Sequence, residues 1–166
     1  MSPCLEEEEK PMKNLLMSLT AIALMASTQA MAADVKLPGF KKQASPEAVV
    51  REHLDALMAC DFDRIMQQYP DDAVFMLPNG VWLKGRANVS TLFVGFCKDR
   101  KDGGLRGAKF IDEEVNVVGD TVNVSWRLEA DYLAEPYKGA DAYVTKDGMM
   151  QSQVTTFDTT QMKFKN

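Results

Sequence analysis

The hydrophobic period of this chain changes once, and that change constrains the fold more than any other feature of the sequence. Up to about residue 99 apolar residues recur at helical spacing, and from about residue 110 they alternate. Val49, Val50, His53, Leu54 and Leu57 fall on one helical stripe, with Arg51, Glu52 and Asp55 largely opposite. Ser45 as an N-cap, Pro46 at the first helical position and Glu47 in the first turn fix where that helix starts. A second, short helix is expected over 62–68, capped by Asp61 and stopped before Pro70. A third is expected over about 86–99, with Val89, Leu92, Phe93 and Phe96 on its buried face. Between the second and third, "AVFMLP" and "GVWLKG" predict a short strand pair joined through Pro78-Asn79-Gly80. Four strands follow, at 110–118, 121–132, 140–145 and 150–157. Helices first and a meander afterwards predict an α+β domain, its helices packed on one face of a curved antiparallel sheet.

The composition, 46% hydrophobic and 26% charged over 166 residues, is that of one ordinary globular domain. A net charge of −5 with no Lys/Arg cluster argues against a nucleic-acid partner, because phosphate binding needs a basic stripe. One histidine, with no paired cysteine or histidine spacing, offers no metal site.

The first residues read as a leader. From Met12, "MKNLLMSLTAIALMASTQAMA" has a short n-region with Lys13, an apolar run from Leu15 to Met25 and Ala30-Met31-Ala32 as a cleavage signal. The run is too short for a membrane span, so cleavage after Ala32 and a secreted or periplasmic protein without a span are expected. The four glutamates in "MSPCLEEEEKP" oppose the usual positive n-region, which favours Met12 as the true start. The expected organisation is a signal peptide over 1–32, an extended arm over 33–44, a domain over 45–158 and a polar, frayed tail over 159–166. Cys60 and Cys97 remain in what is then an oxidising compartment, either as a bridge or as two small buried thiols.

In "YKGADAYVTKDGMMQSQVTTF" the pair Asp147-Gly148 between alternating runs is a strong hairpin signal. Asp141 breaks the local rule there, since aspartate is depleted in strands yet this one stands among Ala140, Ala142, Tyr143 and Val144. It is either an outward charge or an acid set into a pocket. Trp126 alternates with Val122, Val124 and Leu128 and is core or pocket wall, while Arg127 and Glu129 face the other way.

The segments "VVREHLDALMACDFDRI", "YPDDAVFMLPNGVWLKGRANV" and "DAYVTKDGMMQSQVTTFD", in this order, resemble the NTF2-like superfamily and, within it, the SnoaL-like and ketosteroid-isomerase-like proteins. The resemblance spans 45 to about 158 and implies a cone: a sheet curled around the first helix, a pocket at its open end, and homodimers through the outer face of the sheet. In the isomerases of that group a helix-one tyrosine and a protonated late-strand aspartic acid hold the substrate oxyanion, and an aspartate before a proline takes the proton. The corresponding positions here carry His53, Asp141 and, before Pro78, Leu77. Losing the base argues against steroid-isomerase chemistry. SnoaL-like cyclases use an aspartate on the corresponding late strand as the proposed acid/base, and the resemblance gives Asp141 that role with His53 as its partner.

Two readings of different class follow. One is a small isomerase, cyclase or lyase using Asp141 and His53 as an acid/base pair without a cofactor. The other is a binding or sensing module that holds a small molecule in the same pocket and does no chemistry. Tyr143 shares the face of Asp141, and with Trp126, Leu77, Trp82 and Tyr132 it completes the expected ligand-lining set.

Overall fold

The computed structural model describes residues 35–165. The leader, the start at Met12 and Cys4 therefore lie outside the described residues. Helix α1 runs over Pro46–Met58, entered from an extended Ser45 whose Oγ accepts the Ala48 amide at 3.2 Å. Pro46 occupies the first turn, where its missing N–H has no partner to lose. Helix α2, Phe62–Met66, is capped by the Asp61 carboxylate on the Arg64 amide, and α3 spans Arg86–Phe96. Both are shorter than the sequence predicts. Among the described residues no helix is long and apolar enough to cross a membrane.

The strands are β1 (Val74–Met76), β2 (Trp82–Lys84), β3 (Lys109–Val118), β4 (Thr121–Glu129), β5 (Tyr137–Lys146) and β6 (Met149–Thr155). They form one sheet in the order β2-β1-β6-β5-β4-β3. Every pairing is antiparallel except β1 on β6, which is parallel with Val74 opposite Ser152. The short β1–β2 pair thus extends the meander past its last strand, which the local pattern did not predict. Asp147 and Gly148 both take positive φ, 53° and 78°, as the tight turn between β5 and β6 requires.

The helices cover one face of the sheet. Val122, Val124, Trp126 and Leu128 point into it and are at most 1% exposed, as their alternation predicts. Arg127 points out and joins Glu113 and Glu129 in ion pairs. The register sets Gly139 opposite Trp126, and the indole occupies the space a side chain would take. A Cβ at Gly139 would fall 2.4 Å from Trp126 Cζ2 and Cη2 and 2.7 Å from Thr156 Oγ1. Gly139→Ala is therefore expected to destabilise by about 1–3 kcal/mol, read as a lowered urea midpoint with unchanged m-value; an unchanged midpoint would refute the packing argument.

Both ends of the domain are tied down. In the arm, the Lys41 amide donates to Gln67 O and the Gln43 amide to Gly148 O, each at 2.9 Å, and Arg86 donates to Pro38 O at 2.6 Å. The tail is not frayed, contrary to its polar composition. Met162 is buried, Phe164 bridges Leu133 and stacks on Tyr132, and Arg100 lies 4.1 Å over the Phe164 ring. Two apolar side chains spaced two apart suffice to seat it against the loop that follows β4.

Candidate functional site

Helix α1 crosses the concave face of the sheet and brings His53 opposite β5 and β6. A cavity of ≈ 50 Å³ lies between them. Its walls are apolar, chiefly Leu54, Leu57, Phe75, Leu77, Phe93 and Phe96, and its polar members are His53, Asp141, Tyr143, Gln153 and Thr155. A wider opening of ≈ 370 Å³, rimmed by Lys98, Asp102 and Thr159, shares Leu92, Phe96 and Phe157 with it. Those three side chains stand between the inner cavity and the outside.

Asp141 is 8% exposed and accepts three hydrogen bonds. Thr155 Oγ1 donates to Oδ1 at 2.6 Å, while Tyr143 Oη, at 2.8 Å, and Gln153 Nε2, at 3.2 Å, donate to Oδ2. Tyr69 Oη extends the network by donating to Gln153 Oε1 at 2.8 Å. Burial pushes the Asp141 carboxyl above its ordinary value, and the donors from Thr155, Tyr143 and Gln153 hold the rise back. The Trp126 indole N–H works in the same direction at longer reach, without the geometry of a hydrogen bond. A carboxylate has about four acceptor positions, so one, on Oδ1, is left. Burial and the charge of Asp141 also raise the phenols of Tyr69 and Tyr143 well above their ordinary values.

His53 is fully buried, and neither ring nitrogen has a hydrogen-bond partner among the described residues. Its neighbours are rings: Phe93 at 5.5 Å, Tyr69 at 5.8 Å and Tyr143 at 5.8 Å between centroids. With no charge or donor to offset it, burial lowers the imidazole to about 3, so the ring is neutral at physiological pH. The expected Asp141–His53 pair is thus corrected. The two groups line the same cavity, but Asp141 is bonded to Thr155, Tyr143 and Gln153, and His53 presents a neutral N–H and a lone pair to an apolar space.

The other expected site residues divide. Tyr143 and Leu77 line the cavity. Trp126 does not: it is 1% exposed and packs edge-on against Phe110 at 5.1 Å, on the core side. Trp82 is 54% exposed on β2, too short a strand to carry it under the helices. Tyr132 donates to Leu105 O at 3.1 Å beside the tail and does not reach the cavity. Gln153 and Thr155 line the cavity and, with Tyr69, build the network on Asp141, and the sequence pattern singled out none of the three. All three are ordinary in strand and loop contexts, and only the register of β6 turns the first two inward.

A six-stranded sheet curled around α1, with polar groups at the bottom of an apolar cavity, defines an α+β cone of the NTF2-like and cystatin-like class. Residues 50–153 match the SnoaL-like domain, and the chain belongs to that family. Among solved structures, an NTF2-like protein from Cytophaga hutchinsonii aligns with a TM-score of 0.56 at 16% identity, over 72% of this chain and 95% of that one. A putative polyketide cyclase from Sinorhizobium meliloti aligns at 0.55 and 19%, over 65% and 93%. An M. tuberculosis LEH-like epoxide hydrolase aligns at 0.53 and 22%, over 69% and 83%. At such identities the likeness is one of fold. No curated protein matches the chain.

Proposed function

We propose that this protein binds a small, largely apolar carbonyl or hydroxyl compound in the cavity between α1, β5 and β6, and that Asp141 moves a proton on it without a cofactor. The observation that carries the reading is His53: a fully buried imidazole with both nitrogens unpartnered, set in the wall of a cavity. Leaving a buried donor or acceptor unmet costs about 1–3 kcal/mol, and a ligand oxygen hydrogen-bonded to His53 would recover it. The neutral ring then orients the substrate oxygen, since a base of pKa about 3 is too weak to take a proton at neutral pH. Proton transfer falls to Asp141, whose remaining acceptor position on Oδ1 takes a proton from a carbon next to the substrate carbonyl and returns it at a second position. This is isomerase or cyclase chemistry, in keeping with the polyketide cyclase among the fold relatives. Entry runs past Phe96 and Phe157.

A binding module without turnover has its own support. Three donors on Asp141 and Leu77 in place of a second acid suit a structural network beneath a ligand. The two readings separate in one series. Turnover of a carbonyl-compound panel that disappears in Asp141→Asn, with Kd changed less than about tenfold, supports the enzyme. Binding without turnover in the wild type selects the module, and neither binding nor turnover rejects both. Export and a homodimer belong to the same proposal. The pattern of residues 12–32 supports export, and solvent-facing Ala140, Ala142, Val144 and Val154 on the outer face of the sheet support the dimer. Native mass spectrometry of protein taken from its producing cells reads the bound ligand, the first residue and the stoichiometry together. A monomer beginning at Met1 or Met12 would overturn the latter two.

A further inference from the structure

The inner cavity is too small to be the whole of a ligand site. Its ≈ 50 Å³ holds about four water-sized groups at roughly 10–15 Å³ each, whereas pockets that enclose a ligand run to roughly 300–1,000 Å³. The opening beside it, at ≈ 370 Å³, is of that size. The two spaces meet at Leu92, Phe96 and Phe157, which line both. All three are only partly buried, and the Phe96 and Phe157 rings stand 6.1 Å apart between centroids. They form an apolar neck between the end of α3 and the chain just past β6. Beyond it the rim turns polar, with Thr91, Lys98, Asp102 and Thr159.

A glycine keeps that opening wide. Gly95 stands in the last turn of α3, four residues after Thr91 and three after Leu92, so the three share a face of the helix, and all of them line the opening. Its φ is not positive, so no left-handed conformation calls for glycine, and a Cβ there would meet nothing within 4 Å. In a helix glycine is less favourable than alanine, because it loses more backbone freedom on folding. Packing therefore gives no reason for the missing side chain, and the space it leaves free belongs to the opening.

We propose that the ligand is an elongated ketone or alcohol that threads the neck. Its oxygen reaches His53, an apolar chain or ring system passes Leu92, Phe96 and Phe157, and its far end lies along Gly95 at the polar rim. This rests on the binding of a carbonyl or hydroxyl group at His53, and it adds length as the property on which the site selects. A short compound fills the inner cavity alone and gains nothing from the neck. Each methylene carried into the neck and the opening leaves water for apolar walls, which strengthens binding by up to about fourfold.

Calorimetric titration of the full chain with a homologous series of straight-chain methyl ketones tests this. Kd is expected to fall by about two- to fourfold per methylene as the chain grows from one that fits the inner cavity to one that reaches the rim. A Kd that levels off at the shortest members overturns the elongated ligand and leaves oxygen binding at His53 standing. No binding by any member overturns both. Gly95→Leu provides the second arm, since leucine projects into the opening and leaves the inner cavity untouched. It should weaken the longest ketones by about tenfold or more, the share of two buried methylenes, and the shortest by less than about twofold. Equal weakening across the series, or none, counts against the proposal. Gly95→Ala checks the fold: helix propensity and open space together give a Tm at or above that of the wild type, and a lower Tm would mean that the glycine serves packing.

Discussion

Acidification from pH 6.5 to pH 3 is expected to remove about 4 kcal/mol of folding free energy through His53 alone. The unfolded imidazole binds a proton near pH 6.5, while the folded one does so only near 3. Between those values the unfolded state holds the extra proton, so stability rises with pH across the window and is lost as pH falls through it. The slope is about 1.4 kcal/mol per pH unit, and the window ends where the folded ring itself protonates. Because the ring is fully buried among Phe93, Tyr69 and Tyr143, no solvent screening softens the effect. Urea midpoints of the wild type and of His53→Leu between pH 4 and pH 7 check it. Leucine fills a similar volume without a titrating group, so its profile should be flatter, and parallel profiles would refute the assignment. Asp141 has the opposite sign. Its raised pKa means that the folded state holds the extra proton above the ordinary carboxyl value of 3.8, so stability from that group is lost as pH rises. Both proteins in the comparison keep Asp141, and its contribution cancels in the difference.

The second large effect is Asp141→Ala, expected to destabilise by about 3–5 kcal/mol. The substitution strands three buried donors, those of Tyr143, Gln153 and Thr155, and an unmet buried donor costs about 1–3 kcal/mol. The sum is less than additive because Thr155 also accepts the Phe157 amide and Gln153 keeps its bond from Tyr69, so both stay ordered. Asp141→Asn retains an acceptor oxygen and the shape, and should lose only about 1–2 kcal/mol. Equilibrium denaturation of the two variants measures this order. Equal losses would mean that Asp141 acts through its charge and not as the common acceptor of three donors.

The helices and the inner faces of the strands are legible in the sequence for simple reasons. The stripe of Val49, Val50, His53, Leu54 and Leu57 is local, and so is the alternation of Val122, Val124, Trp126 and Leu128. Each depends on the period of one element and nothing else. Alternation in β5 leaves Asp141 either outward or in a pocket; the resemblance favours the pocket, and the structure buries it. His53 was legible as a polar residue in an apolar stripe, but its isolation from Asp141 was not, because a stripe says which way a ring points and not what it meets. Trp126 faces the core as expected, yet it stands a layer behind the cavity, since Phe110 and Phe157, which line the cavity, pack over the indole. Trp82 and Tyr132 failed for a related reason: an aromatic side chain signals apolar surroundings without saying whether core, edge or tail supplies them.

The register between β5 and β6 marks where sequence stops and tertiary structure begins. Counting outward from the Asp147-Gly148 turn places Val154 opposite Asp141 and Ser152 opposite Tyr143. The observed ladder shifts between Val144 and Thr145, so that Thr155 faces Asp141 and Gln153 faces Tyr143. One extra residue in β6 exchanges its two faces, because the side-chain period of a strand is two. It turns a hydroxyl and an amide inward as donors for the buried carboxylate. Legible in the chain itself were the elements, the stripe that becomes the core and one acid in a strand that disfavours it, all of which rest on contacts within a few residues. Long-range packing set the bulge, the parallel seat of β1 beside β6, the burial of Asp141 under three donors and the unpartnered ring of His53. These depend on which backbone groups meet across the sheet and on what apolar volume is left to fill, and no local pattern encodes either.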